Sequence, residues 1–440
     1  MKNIFRKKLA LVAIFTLFFA TACEDYLGDG INENPNSPTS VPVTVLLPNI
    51  EVNIADVTGG DFSRFSAVLV QQTEGVARQW TSINDYSSMN PATFNTTWNN
   101  IYENILIELN VLKAQAQESG LSHYEGVANI LTAYTIMMAT DVWDDIPFSD
   151  AFQGIDKISA EFDTQAEIYA EVNTLLTSGI SLLQGSDGGV ALGSADVMYA
   201  GDLDKWAKAA NSILARMHLH QGEYAQALAA AGNGFTSADD DLQYLYTDAV
   251  NSGQWYRFNI GRTGDIEFHP TMRGIMTDLN DTTRLAVMDQ TFVDGHPYFV
   301  QQFEQELISY RELKFIEAEC LSRTSGSATA IRDAYLTAIE ESFDHIGSMG
   351  YATYITQPEV DPAGGITLDE IMIQKYIGLF TQPEVYNDYR RTDIPSLTPT
   401  DGGSAVLVRW PYGNDEILFN ENAPEEDEVD LRTDRVGWDR

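Results

Sequence analysis

The sequence predicts a mainly α-helical fold, with helical hairpins packed against an irregular, loop-rich region. Three observations predict it. From about Leu46 onward, apolar residues recur at helical spacing through much of the chain. Two distant segments repeat one Tyr-x-x-Ala-aliphatic spacing, at Tyr224 to Leu228 and at Tyr335 to Ile339. Between them, residues 235–305 carry no long periodic run and hold frequent Gly, Asp and Thr with scattered aromatics.

The N-terminus reads as an address. Lys2, Arg6, Lys7 and Lys8 precede an uncharged run from Leu9 to Ala22. That run is too short to cross a hydrocarbon core, which needs about 20 apolar residues. A basic start, a short apolar stretch and small residues at its end describe a secretory signal, here residues 1–22. Ala20-Thr21-Ala22-Cys23 resembles a bacterial lipobox, so Cys23 is expected to carry acyl chains. Each buried methylene contributes about 0.8 kcal/mol, so several chains on one residue anchor firmly. Glu24-Asp25 then resembles the signal that sends lipoproteins to the outer leaflet facing the medium. Residues 23–45, with Pro35, Pro38, Pro42 and several Asn, are expected to tether this anchor to a domain at 46–440.

Composition narrows the partners. Removing residues 1–22 takes away four basic residues and no acids, so the net charge moves from −38 to −42. Such a surface repels nucleic-acid backbones and anionic lipid, which leaves soluble, neutral ligands. Cys320 is the only cysteine beside Cys23, so no internal disulfide framework is expected. It lies in a helical pattern and reads as a small buried apolar residue.

Individual helices can be placed. Ile101, Ile105, Leu109 and Leu112 share one face, as do Ala128, Leu131, Thr135 and Met138. Ser122 with Glu125 fits a capping box for the second of these. Trp206, Ala210, Ile213, Leu214 and Met217 form a stripe followed by Gly222-Glu223-Tyr224-Ala225-Gln226-Ala227-Leu228. This Gly-x-Tyr-x-x-Ala-Leu piece resembles the turn and second helix of a tetratricopeptide repeat. Leu313, Phe315, Ile316 and Ala318 form the second stripe ahead of Tyr335.

Longer motifs carry a family resemblance. Trp98-Asn99-Asn100-Ile101-Tyr102, Asp144-Asp145-Ile146-Pro147-Phe148 and Tyr310 to Glu319 are similar, in order, to segments of SusD/RagB-family outer-membrane lipoproteins. The most specific match is Gln374-Lys375-Tyr376-Ile377-Gly378-Leu379-Phe380 followed by Asp388-Tyr389-Arg390-Arg391-Thr392. Arg409-Trp410-Pro411 and Gly437-Trp438-Asp439 complete the series, with Asp144 in place of a usual Gly and one Trp missing from the ending. The resemblance implies tetratricopeptide-like hairpins beside a variable ligand-binding region. It also implies capture of a nutrient, an oligosaccharide or a peptide, and docking as a lid on a SusC-like TonB-dependent transporter.

Catalytic chemistry finds no pattern. His-Glu-x-x-His, Gly-x-Ser-x-Gly and phosphate-cradling glycine loops do not occur, and His218 and His220 stand two apart on a helix, facing different ways. Acid-rich loops offer the oxygens that Ca²⁺ prefers, but Leu27 fills a ligand position in the stretch Asp25 to Asn34, and no cofactor is expected. Close acid pairs such as Asp144-Asp145 or Asp239-Asp240-Asp241 leave a surface glycoside hydrolase as the alternative. Arg390 and Arg391 beside Asp388 and Asp393 are expected to form forked carboxylate pairs at a helix end. Sugar rings stack on Trp or Tyr while their hydroxyls seek amides and charges. Trp80, Asn84 and Tyr86 in one apparent loop, and Trp255, Tyr256 and Arg257 in another, mix both kinds and are the candidate ligand contacts. Trp98 and Tyr102, at helical spacing, read as core.

Overall fold

The computed structural model describes residues 41–154, 157–247, 250–425 and 428–439. The expected signal, Cys23 and most of the tether lie outside the described residues.

The first helix among the described residues, α1 (Val43–Val57), begins within the last residues assigned to the tether. It is joined through Thr58–Phe62 to α2 (Ser63–Leu69), with a kink between them. Gly60 departs from helical torsion (φ −86°, ψ −130°), and the ladder re-forms beyond it. β1 (Thr73–Gly75) and α3 (Gln79–Asn84) follow. Then α4 (Pro91–Asn99) passes through a π-helical segment, Asn100–Leu106, into α5 (Ile107–Ser119). Ile101, Ile105, Leu109 and Leu112 are all buried, as their spacing predicts.

α6 (Ser122–Trp143) is buried almost all round, the mark of a central helix. α7 (Gln165–Leu183) packs against it. The two backbones approach closely at Gly126 and Gly179, where a Cβ on either would stand 3.0–3.1 Å from the other's carbonyl oxygen. The expected capping box at Ser122 does not form. Leu121 takes the cap position, the Ser122 N–H donates to the Ser186 carbonyl, and Glu125 accepts from Gln117 at 2.8 Å. Complete capping boxes stand instead at Thr164/Glu167 before α7 and at Thr367/Glu370 further on.

The hairpins follow. α8 (Leu203–His220) and α9 (Tyr224–Ala231) are joined by a tight turn in which Gly222 takes a left-handed φ of +71°. The chain then forms β2 (Leu242–Leu245), α10 (Gln254–Gly261), β3 (Ile266–Phe268), α11 (Pro270–Asp278), α12 (Thr282–Met288) and β4 (Glu304–Ile308). The second hairpin is α13 (Tyr310–Arg323) with α14 (Ala328–His345), and α9 packs against α13. The two sequence echoes are therefore the second helices of two stacked hairpins. Short α15 (Tyr351–Tyr354), α16 (Leu368–Gly378), α17 (Glu384–Thr392) and α18 (Asn414–Phe419) complete the set.

The mainly α-helical prediction holds. Residues 235–305 differ in detail from the expected loop, for they contain helices of seven to nine residues and two short strands, β2 and β3. β1 pairs antiparallel with β3 and β2 with β4, so this insertion is stitched to the first and last thirds of the chain. Helices of two turns show too few repeats for periodicity to reveal them. Cys320 is buried in α13, where burial and the neighbouring Glu319 push its thiol pKa up to about 12, as an inert apolar filler requires.

Candidate functional site

A polar cleft of about 320 Å³ opens between the kink at Gly60 and the π-helical segment Asn100–Leu106. Asn53, Asp56 and Val57 come from α1, Gly60, Asp61 and Phe62 from the kinked stretch, and Arg64 from α2. The opposite wall is Thr97, Asn100 and Asn104, and α10 supplies Gln254 and Arg257. π-helical insertions are rare and concentrate at functional sites, because each re-aims the side chains that follow it. The π segment Asn100–Leu106 and the kink at Gly60 stand on opposite walls of this one cleft.

The cleft side chains are held from behind. Asp56 Oδ1 accepts from the Tyr246 hydroxyl at 2.5 Å and from Gln254 Nε2 at 2.6 Å. Burial, helped by Asp56, drives the Tyr246 pKa well up, so it remains a donor. Asn104 Nδ2 donates to Asn100 Oδ1 at 2.9 Å, and Asn53 donates to the Asn104 carbonyl at 3.2 Å. Arg64 donates to Asp61 Oδ1 at 2.8 and 3.2 Å and lies over the Phe258 ring at 4.7 Å. Arg257 is exposed, and its guanidinium has no partner among the described residues.

The residues singled out from sequence fall into two groups. Trp80, Tyr86 and Trp255 are not loop platforms; Trp80 lies on α3, Tyr86 just beyond it, Trp255 on α10, and all three are buried. Trp80 packs edge-on against Phe258 at 5.4 Å. Trp255 stacks on Phe299 at 4.8 Å and donates Nε1 to Ser63 Oγ at 2.8 Å. Tyr86 lies under Arg432, and Asn84 accepts from the Gly75 N–H at 3.3 Å. Tyr256 is half-buried, and Arg257 lines the cleft. The buried rings stand behind the cleft: Trp80 supports Phe258, which with Trp255 supports Arg64. Sequence reasoning missed Asn53, Asp56, Asp61 and Arg64. Asn53 and Asp56 stand at i, i+3 on α1 and were legible as a polar face, but the kink at Gly60 that brings Asp61 and Arg64 beside them was not.

Behind the cleft lies a buried network of charge. Arg216 forks Glu312 at 2.6 Å on both oxygens, and His220 Nε2 donates to Glu384 at 2.7 Å. Tyr169 links His220 to Asp141, donating to that carboxylate at 2.5 Å. The expected Arg390–Arg391 pairing is partly redrawn. Arg391 bonds Asp388 at 2.7 Å but forks Glu319 at 2.9 Å, while Arg390 donates to the Asp141 and Val408 carbonyls and to Asn387. Asp393 faces Arg435 instead, at 3.9 Å. Acid pairs considered for catalysis serve as caps, Asp145 for the Gln165 N–H and Asp241 for the Tyr310 N–H. His218 pairs with Glu223, away from His220. Among the described residues, no group of three or more His, Cys, Asp or Glu could hold a metal.

Compared with known families, residues 35–299 and 289–412 match the SusD-like family described as "Starch-binding associating with outer membrane". The chain belongs to the SusD-like family. Solved structures share this SusD-like fold. A SusD/RagB family protein from Bacteroides thetaiotaomicron superposes with a TM-score of 0.77 at 23% identity, over 91% of this chain and 99% of that one. A chitin-binding protein gives 0.74 at 21%, over 91% and 100%. A chitin-binding SusD homolog from Flavobacterium johnsoniae gives 0.66 at 18%, over 90% and 98%. Comparison with curated proteins gave no match. Membership in the SusD-like family indicates surface glycan binding and association with the outer membrane, and no cofactor is required. Among the described residues, no helix is long and apolar enough to cross a membrane.

Proposed function

We propose that this SusD-like chain is a cell-surface lipoprotein that captures an oligosaccharide in the π-segment cleft and delivers it to a SusC-like TonB-dependent transporter. The observation that carries the reading is the cleft itself. Amides (Asn53, Asn100, Asn104, Gln254), carboxylates (Asp56, Asp61) and guanidinia (Arg64, Arg257) ring one opening, and a sugar's hydroxyls need that mixture of donors and acceptors. Arg257 makes direct contact, with Tyr256 at the edge; Trp80 and Trp255 act from beneath by fixing Phe258, Ser63 and Arg64. Asn84 and Tyr86 hold the neighbouring turn.

The protein binds without cleaving. Both cleft carboxylates are committed to fixed neighbours, Asp61 to Arg64 and Asp56 to Tyr246 and Gln254, which suits them to receive hydroxyls. Anchoring falls to Cys23, and the lipid keeps the cleft beside the transporter at the outer surface. The test is a panel of starch and chitin oligosaccharides on the purified protein. Binding is expected with no product release, and weakened at least ten-fold by combining Asn100→Ala with Arg257→Ala. Product that tracks with the protein through purification would overturn the non-catalytic reading. Cys23→Ala is expected to release the protein from membranes in cells lacking the transporter, and co-purification of a plug-and-barrel transporter tests the delivery step.

A further inference from the structure

The turns ahead of α8, residues 192–202, and the helix α1 bring two acids together in the interior. Glu51 comes from α1 and Asp196 from the turns, and they are 0% and 1% exposed. Their donors are unequally shared. Asp196 Oδ1 accepts from the Met198 and Tyr199 N–H groups at 3.1 and 2.8 Å. Its Oδ2 accepts from the Gly201 N–H at 2.8 Å and from Trp206 Nε1 at 2.7 Å. Four N–H donors aimed at one carboxyl favour its charged form. Glu51 Oε2 accepts from the Val197 N–H at 2.7 Å, while Oε1 is buried with no donor aimed at it. The Glu51 carboxyl stands within hydrogen-bonding reach of the Asp196 carboxyl.

No counter-charge accompanies the pair. Among the described residues no Lys, Arg or His forms an ion pair with either acid. From α6 the Tyr124 hydroxyl faces both, and it donates to the Ala191 carbonyl at 3.3 Å. Elsewhere around α1, Glu108 bonds Asn49 and Tyr246 bonds Asp56. Two neighbouring carboxylates cannot both stay charged away from water with no cation beside them. A proton on Glu51 removes one of the two charges and gives its carboxyl an O–H donor. Burial first, and then the charge on Asp196, push the Glu51 carboxyl well above the usual carboxylate range, in line with this geometry.

We infer that Glu51 is kept as a neutral acid in the folded protein, and that this one proton latches α1 to the turns ahead of α8. The same helix carries Asn53 and Asp56 to the cleft, so one wall of the cleft is seated on the latch. Loss of the proton to solvent at alkaline pH leaves two buried carboxylates facing each other and loosens that seat. The folded chain binds this proton more tightly than the unfolded chain does. Its stabilisation is therefore complete below about pH 4.5 and is lost as pH rises through the higher folded value. Across that window one proton lowers the folding constant by up to about ten-fold per pH unit.

The test is Glu51→Gln in the full chain, because an amide has the shape of the neutral acid. Its oxygen accepts from the Val197 N–H, and its N–H donates toward Asp196. Infrared spectra of wild type minus Glu51→Gln at pH 7 should show the carbonyl band of a protonated carboxylic acid. A carboxylate band in its place overturns the proposal. In urea, the folding constant of Glu51→Gln should gain on that of wild type by about ten-fold per pH unit from pH 5 to pH 7. His220 and the other acids are common to both chains, so the difference isolates Glu51. Parallel pH profiles overturn the proposal. So does a variant that fails to fold, since the amide mimics the neutral acid and not the anion. The tie to the cleft rests on the glycan-binding reading. With maltoheptaose and chitohexaose as probes, wild-type affinity should be lost faster than Glu51→Gln affinity between pH 6 and pH 8, and identical profiles overturn that tie. Failure of both sugars to bind sinks the cleft reading alone, because the infrared and urea results need no ligand.

Discussion

In the stacked hairpins α8–α9 and α13–α14 the backbone ladder is regular, and charge is buried between the helices as Arg216–Glu312 and Arg391–Glu319. Around the cleft the ladder is broken twice, by the kink at Gly60 and the π segment Asn100–Leu106, and Arg257 stands at the open surface. The hairpins thus spend their polar groups on each other. The cleft keeps some unspent, Arg257 above all. A buried ion pair is costly to break and contributes little beyond position, whereas an open polar group contributes only when a ligand arrives. The comparison teaches that mutations in the first region should change stability, and mutations in the second should change binding.

The sharpest way to break this division is Arg216→Met. It strands Glu312 and Glu384 in the interior and is expected to cost about 3–5 kcal/mol, seen as a lower urea midpoint. An unchanged midpoint would mean that the network is solvated and that the two regions do not differ in kind. Trp80→Ala and Trp255→Ala come next, at about 3–5 kcal/mol each for a lost core indole. Trp255→Ala should also weaken glycan binding in the folded fraction, because Ser63 and Arg64 lose their backing. Two melting curves read beside two binding isotherms check both points. Unchanged melting with weakened binding would return these rings to the ligand.

Acid–base behaviour belongs to the hairpin side. Burial pulls the His220 pKa down, but the Glu384 and Asp141 carboxylates outweigh it and raise it to about 9. A raised folded pKa binds its proton more tightly than the unfolded chain does. Its stabilisation is therefore complete below about pH 6.5 and is lost as pH rises through 9. The loss is on the order of 3 kcal/mol. Urea midpoints at pH 6, 7.5 and 9 should fall in that order, and His220→Gln should flatten the trend. The smallest effect is expected at Arg257→Ala. It should leave melting unchanged and weaken oligosaccharide binding about ten-fold, or ~1.4 kcal/mol, by calorimetry.

Much of the fold was legible in the residues themselves. Helical spacing over Ile101 to Leu112 and the twin Tyr-x-x-Ala-aliphatic echoes marked helices and hairpins, because a helix that buries one stripe must repeat that stripe every three or four residues. The family was legible too, through the ordered motifs ending in Asp388 to Thr392 and Gly437-Trp438-Asp439. The candidate site was less so. Arg257 emerged from the sequence, but Trp80, Tyr86 and Trp255 resembled loop aromatics because α3 and α10 are too short to show a period.

What the sequence by itself determined, then, is the class of fold, its hairpin units and its family, all of which rest on local spacing and ordered motifs. Tertiary structure alone decided which polar residues meet. Asp56 finds Gln254 across 198 positions, Arg391 finds Glu319 across 72, and Ser122 gives up its expected cap for the Ser186 carbonyl. The physical reason is that a polar side chain accepts any partner of suitable chemistry, and only packing selects one. The Gly60 kink and the π segment Asn100–Leu106 re-aim the chain in ways that no apolar period records, and they bring Asp61, Arg64 and Asn104 to the opening that Asn53 and Asp56 line.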